Sequence, residues 1–148
     1  MCKTMEVLGV YVHCAATNLL IVVVYRSGFD AVNALFFDEF ADLIERVAAF
    51  AAPIVIVGDI NLHLDDPSAP TTASFNDILG GADFPQHVTG ATHRAGHTLD
   101  VLITQSDAIV TVTVVSLELF QITRSSSPIL YLNSRFCLLA LPSSGASG

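Results

Sequence analysis

Three stretches of this chain, LLIVVV at 19–24, IVIV at 54–57 and VLI at 101–103, are apolar at every position. A strand with one wet face alternates apolar and polar residues, because successive side chains point to opposite sides of the sheet. A strand without that alternation is covered on both faces, which excludes a lone sheet open to water and requires layers. Between the first two runs the period changes. Phe36, Phe40, Ile44 and Val47 recur at helical spacing, while Asp38, Asp42 and Glu45 fall on another face. Asp30 is the expected N-cap of this helix, and Pro53 follows its end. Strand, helix, strand is the unit that builds parallel pairs, so the fold class is α/β.

The rest of the chain fits around that unit. EVLGVYVHC and LLIVVVY, with AATN between them, predict two strands joined by a tight hairpin. After IVIV comes a polar loop containing Pro67 and Pro70, then a short helical piece near ASFNDILGG. ATHRAGHT is a loop by its glycine and polar content, and LDVLIT and AIVTVTVV are two further strands. No repeat recurs at a fixed period. Residues 1–115 form the patterned domain, and residues 116–148 mix apolar fragments with serine runs in a poorly patterned tail.

Apolar residues make up 52% of the 148 positions and charged residues only 14%, against about a quarter in ordinary soluble domains. The shortfall implies covered surface, supplied either by a partner or by more of the same domain. A net charge of −8 with only six Lys and Arg residues argues against nucleic-acid binding by counterion release alone. A bound divalent metal would supply positive charge locally instead. Cys2, Cys14 and Cys137 show no C-x-x-C spacing, so a disulfide framework or zinc ribbon is not expected and an intracellular, reducing setting fits. Val7 to Tyr25 carries no charge, but Gly9, His13, Thr17 and Asn18 interrupt it as a hairpin would, and no membrane span or secretory leader is expected.

The chemistry concentrates in IVIVGDINLHLDD, where a buried run ends in Gly58 and then Asp59, Asn61, His63, Asp65 and Asp66 follow. Functional groups in α/β sheets sit beyond the carboxyl ends of strands. A carboxylate with an amide two residues on can accept a proton from water and donate to a phosphate oxygen. The same residues also cap turns, and spacing leaves both readings open. In HRAGH, His93 and His97 stand four apart, but Gly96 disfavours the helix that would put both on one face for zinc.

VVVYRSG, FFDEFADLIE, VGDINLHLDD and THRAGHTLDVLIT occur in that order between about Glu6 and Val115. Together they resemble the endonuclease/exonuclease/phosphatase superfamily, most closely the endonuclease domain of LINE-type retrotransposons. The resemblance implies a partial two-sheet, four-layer α/β/β/α sandwich and magnesium-dependent nicking of DNA in the nucleus. It gives Asp59 the activation of the attacking water and Asn61 the steadying of phosphate and nucleophile. Tyr25 is implied to approach the scissile phosphate and Asp100 to orient a catalytic histidine, with Arg26, His63 and His97 as substrate contacts. No residue here matches the family's magnesium-binding Glu, and no histidine follows His97. A chain with half of the constellation is expected to be inactive as it stands, with an unpaired sheet edge that favours self-association.

A second reading from another class is a non-enzymatic binding module, in which PILYL and FCLLALP cover sheet or meet a partner. A nucleotide-binding doubly wound domain is weakened because no glycine-rich loop follows LLIVVV.

Overall fold

The computed structural model describes residues 2–13, 18–105, 111–114, 129–132 and 137–140, the last three stretches through their backbone. Strands β1 (Glu6–His13), β2 (Asn18–Tyr25), β3 (Ile54–Asp59) and β4 (Asp100–Thr104) form a mixed sheet in the order β1-β2-β3-β4. β1 and β2 are antiparallel, β2 and β3 parallel, and β3 and β4 antiparallel. Helix α1 (Ala34–Ala48) makes the crossover between the parallel pair, and α2 (Pro70–Ala82) lies between β3 and β4 in the chain. The expected α/β class, the hairpin pairing and the parallel unit are all present. The AATN turn lies outside the described residues except for Asn18.

The non-alternating strands are buried on both sides, as their sequences require. One face contributes Leu20, Val22, Val24, Ile54, Ile56, Val101 and Ile103, packed with Phe36, Phe40, Ile44 and Val47 of α1 and Phe75 and Leu79 of α2. Phe40 is fully buried, and its ring centroid lies 4.9 Å from that of Phe75, which joins the two helices. The other face carries Leu19, Ile21, Val55, Val57 and Leu102 with Val88. Burying each such side chain stabilises the fold by roughly 1.5–3 kcal/mol.

Three boundaries differ from expectation. The cap of α1 is Asn33, whose side chain accepts from the Phe36 amide, and not Asp30. The Asp30 carbonyl is instead held by the Arg26 guanidinium, so Asp30 sits in the loop before the helix. α2 begins at Pro70, which belongs to the helix and not the loop, because a missing N–H costs nothing in the first turn. The third concerns the segment after residue 115, expected to be the least patterned. It contributes β6 (Ile129–Leu132) and β7 (Cys137–Ala140), which join β5 (Thr111–Val114) in a three-stranded antiparallel sheet ordered β5-β7-β6. The short apolar runs ILYL and CLLA are sufficient for strand pairing despite the serines around them.

Candidate functional site

The pairing register brings three expected site residues into one row. Tyr25, the last residue of β2, is opposite Asp59 at the end of β3, and Asp59 is opposite Asp100 at the start of β4. Their neighbours Val57 and Leu102 belong to the sheet face away from the helices, so by the two-residue period the row faces that way too. The row continues to Glu6 on β1, a residue with no motif around it.

Gly58 makes the close approach possible. Its φ is +146°, and a Cβ there would lie 1.8 Å from the Val24 carbonyl oxygen. The chain then turns through Asn61, which has a left-handed φ of 49°. Asn61 is fixed on three sides. Its amide N–H donates to Asp59 Oδ1 at 3.0 Å, its Nδ2 donates to the Arg26 carbonyl at 2.7 Å, and its Oδ1 packs where Gly28 has no side chain. The Arg26 N–H donates to the Asp59 carbonyl at 2.9 Å, tying the ends of β2 and β3 together.

Tyr25, Asp59, Asn61 and Asp100 line a cleft of about 390 Å³ with Thr92, His93 and Leu99. The loop before β4 is set against the strand ends by Thr92, whose hydroxyl oxygen accepts from the Leu99 and Asp100 amides at 3.0 and 3.1 Å. Burial pushes the Asp59 carboxyl above its ordinary value; the Asn61 amide opposes this, while the Asp100 charge adds to it. A carboxyl raised in this way holds a proton more readily than an exposed aspartate does.

Arg26, implied by the resemblance to contact substrate, lies behind the cleft and does not line it. It is only 3% exposed, and its guanidinium donates to the carbonyls of Ile60, Asn61 and Asp30 while lying over the Phe36 ring. It holds the site together from behind. His63 and His97 are not among the cleft-lining residues either. Their rings lie 4.1 Å apart, and His97 Nδ1 is 3.1 Å from Asp65 Oδ2. The imidazole that does line the cleft is His93, which sequence spacing had only paired with His97.

No protein-family model matches the chain, and no curated protein matches it. Among the described residues no helix is long and apolar enough to cross a membrane.

Proposed function

We propose that the cleft is the water-positioning part of a metal-assisted phosphodiester-hydrolysing site. In this reading the chain is a piece of endonuclease/exonuclease/phosphatase architecture of the LINE-type retrotransposon kind, with a two-sheet, four-layer sandwich as the parent fold. The observation that carries the proposal is convergence: Tyr25, Asp59, Asn61 and Asp100, from three strand ends and one loop, line a single hollow. Asp59 is the base for the attacking water, since burial raises its carboxyl and its Oδ1 is oriented by the Asn61 amide. Asn61 has two amide donors; one holds the Arg26 carbonyl, and the other, which lies beside the Asp59 carboxylate, would turn to a phosphate oxygen. The Tyr25 hydroxyl approaches the same phosphate from the neighbouring strand.

Magnesium takes one or two carboxylates and keeps several waters, and Asp100, opposite Asp59 in the register, would supply a carboxylate while Asp59 stays free as the base. The bound ion would supply positive charge to a DNA phosphodiester, because none of the cleft-lining residues is Lys or Arg. Magnesium together with a short DNA duplex is expected to shift the amide resonances of Tyr25, Asp59, Asn61 and Asp100 selectively. Unmoved resonances at these positions, with or without shifts elsewhere, would sink the assignment. The chain alone is expected to relax supercoiled plasmid no faster than a chelator control, because the family's magnesium-binding Glu and final histidine have no match here. Chelator-sensitive nicking that disappears in Asp59→Ala would overturn the expected inactivity.

One observation also favours association. On the sheet face away from the helices, the apolar row continues onto β1 as Leu8 and Val10, and these are 61% and 43% exposed. β1 is also the edge of its sheet. Apolar edges of this kind recruit other chains, and lysine on the edge blocks them. Leu8→Lys with Val10→Lys is therefore expected to lower the weight-average mass in sedimentation velocity at high concentration. A wild-type chain that stays monomeric across that concentration range contradicts the idea.

A further inference from the structure

We infer that His63, Asp65 and His97 form a binding site for a divalent transition-metal ion of the zinc class, separate from the cleft. One potential ligand atom from each of the three lies within 4.8 Å of the others. A tetrahedral zinc ion with bonds of about 2.0–2.1 Å holds its ligand atoms roughly 3.3 Å apart. His97 Nδ1 and Asp65 Oδ2 already stand 3.1 Å apart, so an ion can replace the proton between them with little movement. His63 is exposed, and its ring centroid is 4.1 Å from that of His97, so rotation of one side chain completes the set.

The backbone beneath these ligands is held in advance. Asp65 Oδ1 accepts from the Thr98 amide at 3.0 Å, which fixes the carboxylate and leaves Oδ2 toward His97. The His63 carbonyl accepts from the Thr72 hydroxyl at 3.1 Å and from the Asp66 amide at 3.0 Å. The His97 carbonyl accepts from the Thr92 and His93 amides, both at 2.9 Å. The Thr98 bond orients a ligating group directly, as outer hydrogen bonds do at metal sites, while the others hold the backbone that carries the two histidines.

Ligand chemistry distinguishes this site from the cleft. Imidazole nitrogen suits zinc, copper, nickel and cobalt, whereas magnesium prefers oxygen donors such as the Asp100 carboxylate of the cleft. Three protein ligands leave a fourth position for water. The ion would also join the loop after β3, which carries His63 and Asp65, to the loop before β4, which carries His97. That second loop places Thr92 and His93 in the cleft, so metal binding stiffens one wall of it.

The test is a cobalt(II) titration followed by visible absorption, with zinc displacing the cobalt. One equivalent is expected to bind. His63→Ala, His97→Ala and Asp65→Asn should each weaken binding by at least about 100-fold, more than the 10–100-fold typical of losing an outer-shell partner. His13→Ala, Asp59→Asn and Asp100→Asn should leave it unchanged, so a failure of the phosphodiesterase reading does not affect this result. No stoichiometric binding would overturn the inference. So would binding that persists in the His63 and His97 variants, as it would if a thiol such as Cys2 were the ligand.

Discussion

Gly58→Ala is expected to cost at least about 4 kcal/mol, a loss reserved for substitutions that break the backbone arrangement itself. Two effects combine. At φ +146° an L residue is strained wherever it sits, and the added Cβ would lie 1.8 Å from the oxygen and 2.8 Å from the carbon of the Val24 carbonyl. These are main-chain atoms of β2, which pairs with β3 at this point, so no side-chain rotation relieves the clash. The two strands must separate where Tyr25 and Asp59 meet. Domains are commonly stable by about 5–15 kcal/mol, so most of the folded population is at risk. Gly81→Ala in α2 is the control. Its added Cβ meets nothing within 4 Å, and alanine in a helix gains up to about 1 kcal/mol over glycine. Urea denaturation followed by circular dichroism measures both variants. A Gly58→Ala midpoint within experimental error of wild type would show that β2 and β3 do not pair in this register.

The same glycine explains why much of the site was legible before the structure. A non-alternating run that stops at glycine and continues in Asp and Asn marks a buried strand reaching a polar rim. LLIVVV, IVIV and VLI therefore located β2, β3 and β4, and Tyr25, Asp59 and Asp100 were placed at their ends. What stayed hidden depends on contacts between distant residues. His93 and His97 lie in one short loop, and their spacing means nothing outside a helix. Gly96, at φ 87°, and the hydrogen bond that its N–H donates to the His93 carbonyl reverse the chain, with His93 in the cleft and His97 against His63. Asp30 and Asn33 are both good capping residues. Asn33 caps α1, while the carbonyl of Asp30 is bound by a buried arginine four residues earlier. The strands after residue 115 are short, and serine runs masked their pattern.

Arg26 is the strongest case, since a lone cation beside a tyrosine suggests phosphate contact and the structure gives it another task. Arg26→Met is expected to cost about 3–5 kcal/mol, because several hydrogen bonds to one buried charged group are lost together. Arg26 Nη1 donates to the carbonyls of Ile60 and Asn61, each at 3.2 Å, and Nη2 donates to that of Asp30. Methionine fills similar space against Phe36 but leaves three carbonyls without their donor, and hydrogen bonds to a charged group contribute roughly 1.5–3 kcal/mol each. Burial lowers the affinity of the guanidinium for its proton, while Asp30 and Asp59 act in the opposite sense and help to keep it charged. Arg26→Lys is expected to recover little, because a point-like ammonium cannot span acceptors on both sides as a planar fork does. The loss also reaches the cleft. Asn61 holds a left-handed conformation between the Arg26 carbonyl and Asp59, so freeing its own carbonyl loosens the turn that orients Asp59. In amide hydrogen exchange, Arg26→Met is therefore expected to lose protection at Asn61 and Ile60 before β1 or α2 opens. Uniform loss of protection across the chain would mean that Arg26 stabilises the fold globally and has no local hold on the site.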